Sequence, residues 1–505
     1  MTTLIKTASL IGLNASEVEV EVHLSKGLPS FQIVGLPDTS IQEAKERVRA
    51  AIQNSGFKFP RERITINLAP AQLKKEGSGF DLAIAIGVLK ASKQIIDNDE
   101  FNQTLFIGEL SLAGKIRKIS NCFSTIVSCY EKKIADNYIV PSDNINQLYA
   151  IDYLKFNHCD NLKSLVSYLN KNKPVYIKTK INIETNIQYD IDFSDVIGQE
   201  SAKRACEIAA AGNHNILMEG PPGSGKSMIA KRLPTILGNM NTKECLETTK
   251  IYSISGFLED STQYLQNRPF RSPHHTSSDI SLIGGGSKAI PGEISLAHNG
   301  VLFLDEILEF KKNVLESLRQ PLSDGVINIS RANIRVSYPA SFILIAALNP
   351  CPCGYFGDNH NHCCCSSLQI DKYRNRLSGP IRDRIDLHLI VPRINLSDYQ
   401  KQTSESSKSI KKRVLEAKLI QKNRYKDLNI LSNHFLEGKY LKYYCKLDSM
   451  AKTLLNEKYM EQKWSNRAYF KIIKLARTIA DLSKIEMIND EHIFEAIYFQ
   501  NNQWS

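Results

Sequence analysis

The strongest chemical signal in the chain is a phosphate-binding pattern at residues 220–227, which read Gly-Pro-Pro-Gly-Ser-Gly-Lys-Ser. The run fits the G-x-x-x-x-G-K-[ST] pattern at every fixed position. Small residues let backbone N–H groups turn inward around phosphate oxygens, and a following helix N-terminus adds partial positive charge. We expect Lys226 to reach the β- and γ-phosphates of a nucleotide and Ser227 to ligate Mg²⁺. The predicted triphosphate site therefore comprises Gly220, Pro221, Pro222, Gly223, Ser224, Gly225, Lys226 and Ser227.

Two later apolar runs end in polar residues that suit the same chemistry. The first ends in Asp305 and Glu306, and the second ends in Asn349. We expect Asp305 to join Ser227 in holding Mg²⁺, and Glu306 to polarise an attacking water. Asn349 is expected to hold that water against the γ-phosphate, although a lone asparagine at a strand end is usually a turn residue. The three motifs in this order favour a nucleotide-hydrolysing site.

Several arginines are candidates for completing such a site. We expect Arg384 to act as a finger in the active site of a neighbouring chain. Arg382 and Arg376 are rivals for this role, and each can instead pair with an acidic neighbour. Arg467 opens the strongest predicted helix of the C-terminal region. Two roles stay open for Arg467: contact with the γ-phosphate from a lid, or a salt bridge at the start of its helix.

A cluster of cysteines follows Asn349. Four of them, Cys351, Cys353, Cys363 and Cys365, are candidate ligands for one tetrahedral Zn²⁺. Such a metal would hold together a loop that has little core of its own. The C-x-C spacing is tighter than the usual C-x₂-C, and the alternative is a group of reduced structural thiols.

The composition is that of a soluble globular protein, with 42% hydrophobic and 23% charged residues. The 505 residues suffice for about three domains. No apolar run is long enough to span a bilayer, and no signal peptide opens the chain, so we expect a cytoplasmic protein with no membrane partner and reduced cysteines. A net charge of +11 favours a polyanionic partner such as nucleic acid, or else a generally basic surface.

The chain divides into three blocks joined by polar stretches. Residues 1–170 mix strands and helices, residues 191–395 contain the phosphate loop, and residues 400–505 are helical. Residues 171–190 are lysine-rich and predicted to be a linker. The fold class is therefore a multidomain α/β protein with an α+β module in front.

The first block shows clear local patterns. Val18, Val20 and Val22 alternate with polar residues, as in a half-buried strand. Ser40 and Glu43 form a capping-box pair, which predicts a helix beginning at that point.

Longer strings resemble one protein family. Four features occur along the chain in an order that resembles an AAA+ ATPase core. They are the strand with its phosphate loop, the strand that ends in Asp-Glu, the strand that ends in Asn, and the string Asp-Arg-Ile-Asp. More narrowly, the chain resembles the magnesium-chelatase-like ATPases of the YifB/ComM family. The supporting strings are VGLPD (34–38), KEGSGFDL (75–82), RPFRSPHH (268–275), NPCPCG (349–354), SGP (378–380) and DRIDLH (383–388).

The resemblance implies a homo-hexameric ring motor that uses ATP and Mg²⁺. It assigns Asn349 as the first sensor, Arg384 as the trans finger and Arg467 as the second sensor on a C-terminal helical lid. It also implies that the segment containing Ile197, Gly198 and Gln199 packs beside adenine. Family members are associated with DNA, and the competence protein acts in branch migration during natural transformation.

The same resemblance points to two candidate DNA contacts. Residues 324–336 read as a hairpin, similar to one that projects into the pore of minichromosome-maintenance helicases. Arg331 near its tip is a candidate phosphate contact, and the alternative is a surface hairpin with a solvated arginine. Arg271 lies in a second insertion, which faces either the pore or a subunit interface.

The N-terminal block resembles the Lon-protease domain. Gly79 stands where that family has its serine nucleophile, Ser78 lies one position early, and Phe123 falls near the place of the dyad lysine. A serine without a base is a poor nucleophile, so we expect a non-proteolytic domain.

These inferences predict an ATP-dependent hexameric DNA translocase or helicase that promotes branch migration in recombination or natural transformation. Its expected partners are single-stranded or branched DNA and recombination or DNA-uptake proteins. The alternative is a remodelling motor of a metal-chelatase-type complex. A nucleotide-gated scaffold is a third possibility, against which the intact Lys226, Asp305 and Glu306 argue.

Overall fold

The chain forms two compact units in the structure, a computed structural model. The first comprises Met1–Thr185 with Thr242–Leu265, and the second Asn186–Asn241 with Gln266–Ser505. The structure describes residues 2–96, 99–149, 151, 154–171, 189–258, 264–286, 288–331, 334–358, 361–393, 404–428 and 430–501. The predicted linker, 171–190, lies almost wholly outside these residues. Within them, no helix combines the length and apolarity that crossing a bilayer requires.

The first unit is built on a mixed seven-stranded sheet with the order β3-β4-β2-β1-β5-β8-β9. The strands of this unit are β1 Thr2–Ile11, β2 Asn14–Ser25, β3 Ser30–Val34, β4 Arg63–Ala69, β5 Thr104–Phe106, β6 Glu109–Leu110, β7 Ile116–Arg117, β8 Asn137–Pro141 and β9 Phe156–Cys159, of which β6 and β7 form a separate two-stranded sheet. The helices are α1 Thr39–Asn54, α2 Asp81–Ala91, α3 Cys122–Glu131, α4 Ile145–Leu148 and α5 Leu162–Lys171.

Local sequence explains most of this unit. The predicted alternation is seen in β2, whose Val18, Val20 and Val22 are fully buried. The predicted capping box at Ser40 is wrong, because the helix begins earlier. Asp38 is the N-cap of α1, and its carboxylate accepts hydrogen bonds from the N–H groups of Ile41 and Gly77, both at 2.9 Å.

The second unit contains the phosphate loop. Its strands are β10 Ile216–Glu219, β11 Phe270–Arg271, β12 Gly284–Gly285, β13 Ile290–Pro291, β14 Val301–Leu304, β15 Val326–Arg331, β16 Ile334–Pro339, β17 Ile343–Leu348 and β18 Leu387–Ile390. The helices after residue 190 are α6 Glu200–Gly212, α7 Lys226–Ile236, α8 Thr242–Ser255, α9 Asp279–Ile283, α10 Glu293–Leu296, α11 Lys312–Ser317, α12 Arg319–Asp324, α13 Ser367–Arg374, α14 Gly379–Arg382, α15 Ser407–Arg424, α16 Gly438–Tyr444, α17 Ser449–Glu461, α18 Asn466–Leu482 and α19 Asp490–Asn501.

Five parallel strands form the central sheet of this unit, in the order β11-β14-β17-β10-β18. Their continuous apolar sequences, such as the fully buried Ile343–Leu348, suit a sheet covered on both faces. Because the strands are parallel, the residues that follow β10, β14 and β17 share one edge of the sheet. The residues that precede β18 lie at the opposite edge.

The C-terminal helices share a core with this sheet. Ile410 and Val414 of α15 and Ile472 of α18 are buried in the same cluster as Ile216 of β10. The described helices of the predicted lid region therefore pack with the phosphate-loop domain in one compact unit.

One helix lies outside the unit that its sequence position predicts. The predicted boundaries place α8 in the block 191–395, but Thr242–Leu265 belongs to the first unit. Leu246 joins the buried cluster that contains Phe123. The Ser124 hydroxyl donates to the carbonyl of Lys250 at 3.0 Å, and the Lys250 ammonium pairs with Glu131 at 2.5 Å. Tertiary packing of this kind leaves no signal in local composition.

Candidate nucleotide-binding site

The phosphate loop connects β10 to α7, as the motif requires. Gly223 and Gly225 adopt positive φ angles of 78° and 91°, and a Cβ at either position would meet no atom within 4 Å. The loop therefore presents backbone to open space. A cavity of about 400 Å³ lies there, lined by 222–228 together with Asp305, Glu306 and Asn349. The three predicted motifs thus meet at the carboxyl edge of the sheet.

Lys226 extends its side chain back across the loop. Its ammonium donates to the carbonyls of Gly220 at 2.6 Å and Pro221 at 3.0 Å, and more weakly to Asn349 Oδ1 at 3.4 Å. Burial lowers the pKa of Lys226, while the nearby carboxylates of Asp305 and Glu306 act in the opposite direction. A buried cation that lines the cavity is suited to bind an anionic phosphate.

Ser227 and Asp305 form the oxygen pair that a hard cation needs. The Ser227 hydroxyl donates to Asp305 Oδ2 at 2.9 Å, so both oxygens face the same point beside the cavity. Mg²⁺ prefers oxygen ligands and usually keeps several waters with one or two protein ligands. The residues present therefore fit a magnesium–triphosphate complex at this site.

Glu306 has a strained backbone. Its φ angle of 50° lies in the left-handed region, where residues other than glycine are uncommon, and such outliers concentrate at functional sites. The side chain is about half exposed and contacts the ring of His275, with Oε2 3.5 Å from Nδ1. Glu306 lines the cavity that the sequence predicts for it, whereas sequence reasoning placed His275 only in the insertion 268–286 and not beside Glu306. The only signal for it is its place in the string RPFRSPHH.

The segment predicted to pack beside adenine lies against the phosphate loop. Gly198 and Gln199 have φ angles of 64° and 56°, which turn the chain into α6. The Gln199 amide donates to the carbonyls of Pro392 at 2.7 Å and Ser224 at 3.4 Å. Gln199 and the adjoining, half-buried Ile197 and Gly198 therefore belong to the surroundings of the loop. Their contact with adenine stays a prediction.

Arg384 and its neighbour Arg467 are placed towards the opposite edge of the sheet. Arg384 precedes β18, and its carbonyl accepts a hydrogen bond from Asn215, just before β10. Its guanidinium donates to Ser323 Oγ at 2.7 Å and to the Pro380 carbonyl at 2.8 Å. Burial lowers the pKa of Arg384, and the positive charge of Arg467 acts in the same direction.

Arg467 takes the salt-bridge alternative. Its Nη1 lies 3.4 Å from Asp383 Oδ2, and Arg467 does not line the cavity at the phosphate loop of its own chain. Of the rival arginines, Arg376 pairs with Glu309 at 3.1 Å. Arg384 and Arg467 therefore lie near each other, and neither of them lines the cavity at the phosphate loop of their own chain.

The four predicted zinc ligands come together in space. The sulfur atoms of Cys351, Cys353, Cys363 and Cys365 all lie within 4.8 Å of one another. Among the residues that the structure describes, only one other group of side chains has comparable spacing, namely His214, Asp386 and His434.

The predicted hairpin is formed by β15 and β16, and the turn at 332–333 lies outside the described residues. Arg331 and Arg335 are both exposed near this turn, and sequence reasoning singled out only the first. The second insertion packs against the hairpin, since a Cβ on Gly285 would lie 2.7 Å from Arg331 Nη2.

Arg271 has a carboxylate partner. It donates to both oxygens of Glu293 at 2.6 Å. A contact between Arg271 and DNA would have to replace this bidentate pair, and it stays a prediction.

Comparison with known proteins agrees with this geometry. The family described as "Magnesium chelatase, subunit ChlI" matches residues 192–399. "Subunit ChlI of Mg-chelatase" matches 20–144, and "Magnesium chelatase, subunit ChlI C-terminal" matches 404–500. These three matches together span both compact units.

Full-length relatives narrow the assignment. The chain is 41% identical over 502 residues to YifB of Escherichia coli (strain K12), covering 99% of this chain and 97% of that protein. It is 41% identical over 498 residues to the competence protein ComM of Haemophilus influenzae (strain ATCC 51907 / DSM 11121 / KW20 / Rd), covering 97% and 96%. The chain therefore belongs to the YifB/ComM family of magnesium-chelatase-like AAA+ proteins.

Proposed function

We propose that the chain is an ATPase whose nucleotide site is built by 220–227, Asp305, Glu306 and Asn349. Mg²⁺ bound with the triphosphate would neutralise charge on the transferring phosphoryl group. Lys226 binds the phosphates, and Ser227 with Asp305 holds the cation. Glu306 orients the attacking water and accepts its proton, and Asn349 fixes the position of that water. The convergence of these side chains on one cavity supports the proposal.

A complete site needs a second chain. Arg384 precedes β18 at the amino edge of the sheet and Arg467 pairs with Asp383 there, so neither arginine lines the cavity at the phosphate loop of its own subunit. We propose that both arginines act in trans, each chain completing the site of its neighbour in a homo-hexameric ring. In this arrangement hydrolysis depends on assembly.

The motor is proposed to act on DNA, promoting branch migration during recombination or natural transformation. The observation that supports this function best is the 41% identity to the competence protein ComM along nearly the whole chain. The exposed Arg331 and Arg335 near the turn between β15 and β16 supply cations for a phosphate backbone. The proposed partners are single-stranded or branched DNA and recombination or DNA-uptake proteins in the cytoplasm.

The test measures ATP hydrolysis by the purified chain with single-stranded, duplex and branched DNA, alongside unwinding of a labelled branched substrate. We expect single-stranded or branched DNA to raise the rate. The Glu306→Gln variant should bind ATP and assemble into rings, but it should not hydrolyse the bound ATP. A rate that no DNA changes, while a protein partner raises it, would refute the DNA-motor proposal.

That outcome would instead support a remodelling motor of a metal-chelatase-type complex. The family matches favour this alternative in part, since all three are described by the chelatase subunit ChlI. Similarity to a named chelatase subunit is more limited. The magnesium-chelatase 67 kDa subunit of Chlorobaculum parvum (strain DSM 263 / NCIMB 8327) is 24% identical over 164 residues, which is 32% of this chain.

A further inference from the structure

The cysteine cluster has the dimensions of a mononuclear metal site. Four thiolates around one Zn²⁺ at about 2.3 Å lie about 3.8 Å apart at tetrahedral angles. The Sγ atoms of Cys351 and Cys353 are 3.3 Å apart, and each lies 3.6 Å from Cys363 Sγ. The Cys365 sulfur lies within 4.8 Å of the other three. This spacing suits one ion and leaves no room for a cluster of several irons.

Backbone groups around the cluster favour thiolates. The N–H of Phe356 donates to Cys351 Sγ at 3.3 Å, and the N–H of Cys365 donates to Cys363 Sγ at 3.4 Å. Gly354, with a φ angle of 86°, lies in the turn between Cys351 and Phe356. Such N–H···S bonds offset the negative charge that a deprotonated ligand set carries.

The loop that carries the thiols lies against the phosphate loop. A Cβ on Gly354 would be 2.9 Å from the ring of Pro222. Arg393 bridges the two loops, since its guanidinium donates to the Pro222 carbonyl at 3.1 Å and lies 3.5 Å from Asp358. Asn349, which borders the nucleotide cavity, precedes Cys351 by a single proline.

A second set of contacts joins the same loop to the strand before the phosphate loop. The Arg374 guanidinium lies over the ring of Phe356, 5.5 Å from its centroid, and pairs with Glu219 at 2.8 Å. The thiol loop therefore contacts the phosphate loop at Pro222 and is linked through Arg374 to Glu219, the last residue of the strand that precedes it.

We propose that Cys351, Cys353, Cys363 and Cys365 bind one structural Zn²⁺, which fixes this loop against the outer side of the phosphate loop and sets the position of Asn349. On binding, each coordinating thiol releases its proton to solvent, and no electron is transferred. The metal has four protein ligands and no open position, so it takes no part in chemistry. The effect on ATP turnover rests on the proposed function, whereas zinc binding does not.

The first experiment measures metal content of the purified full-length chain by inductively coupled plasma mass spectrometry. We expect about one zinc per chain and no stoichiometric iron. Cys353→Ser and Cys363→Ser should each lose most of this zinc. Cys364→Ser is the matched control, because Cys364 is the exposed thiol between two proposed ligands and should retain the full zinc content.

A second measurement tests the proposal on the wild-type chain, in case the cysteine variants fail to fold. Zinc is removed from the wild-type chain with a chelator and replaced by Co²⁺, which should give the strong thiolate-to-metal charge-transfer absorption of a tetrahedral four-sulfur site. Folded wild-type protein that contains no zinc and gives no such absorption would overturn the proposal. Stoichiometric iron, or loss of zinc in Cys364→Ser to the same extent as in Cys353→Ser, would overturn it too.

A third measurement separates this proposal from the ATPase proposal. Zinc removal should lower kcat for ATP hydrolysis more than it raises KM, because Asn349, which positions the attacking water, loses its support while Lys226 still binds the phosphates. A chain that holds zinc but hydrolyses no ATP would contradict the ATPase alone. A chain with unchanged kcat after zinc removal would contradict the positioning role of the metal.

Discussion

Each of the two units buries a lysine ammonium against backbone carbonyls, and the two environments differ in what else is present. In the first unit, Lys75 is fully buried and donates to the carbonyls of Gly35, at 3.0 Å, and Pro70. In the second, Lys226 is 8% exposed and donates to Gly220 and Pro221. Burial lowers the pKa of both lysines. By these criteria the two sites are alike.

The two lysines differ in what surrounds their ammonium groups. Lys226 borders a cavity of about 400 Å³ that also contains two carboxylates and an asparagine. Among the residues that the structure describes, no carboxylate lies within salt-bridge distance of Lys75. A buried lysine therefore indicates function only when open space and reacting groups accompany it. We infer that Lys75 stabilises its turn, while Lys226 binds phosphate.

The largest expected effect comes from exchanging each lysine for methionine. Lys226→Met should fold normally and lose measurable ATP turnover. Lys75→Met should keep ATP binding while destabilising the first unit by about 1–3 kcal/mol, because two buried carbonyls lose their donor. Steady-state hydrolysis and urea unfolding monitored by circular dichroism would check both. Comparable turnover in Lys226→Met and wild type would contradict the assigned roles.

The second prediction tests whether the nucleotide site, unlike the Lys75 site, depends on a neighbouring chain. Arg384→Ala and Lys226→Ala should each be inactive alone. Mixing the two variants should restore part of the activity, since some junctions then pair an intact phosphate loop with an intact arginine. Hydrolysis measured across mixing ratios would show this as a maximum. No recovery in rings that demonstrably exchange subunits would count against the trans arrangement.

The third prediction concerns a surface of the second unit. Replacing Arg331 and Arg335 by alanine should weaken DNA binding. On duplex DNA, the plot of the logarithm of the binding constant against the logarithm of salt concentration should become less steep by about 1.8. ATP turnover without DNA should be unchanged. The control is Lys439→Ala with Lys442→Ala, which removes the same charge from exposed positions on α16. Equal losses in both double variants would indicate a general charge effect.

The smallest effect is expected in the first unit. The Ser78 hydroxyl donates to the carboxylate of Glu109, and Lys75 is committed to carbonyls, so neither is arranged as a nucleophile with its base. Ser78→Ala should lower the free energy of unfolding by about 1 kcal/mol and leave ATP turnover unchanged. Peptide hydrolysis by the wild-type chain that disappears in this variant would show that the domain is proteolytic.

Sequence reasoning succeeded where short-range pattern and chain direction determine the structure. The phosphate loop, Asp305 and Asn349 converge because the strands that precede them are parallel neighbours and end at one edge of the sheet. Sequence reasoning was less successful where packing between distant segments of the chain determines a contact. The pairing of Arg467 with Asp383 and the contact between His275 and Glu306 each join segments far apart in the chain. The wrong helix cap at Ser40 has a nearer cause, since Asp38 caps the same helix two residues earlier and Ser40 already lies within it.

The membership of α8 in the first unit has a consequence for biosynthesis. A ribosome must translate as far as Leu265 before the N-terminal fold has all its parts, by which time β10 and α7 of the other unit have already been made. Fragments that stop near residue 170 or 190 lack the helix that covers Phe123 and its neighbours. Such fragments should aggregate unless Thr242–Leu265 is supplied as a peptide or fused behind them.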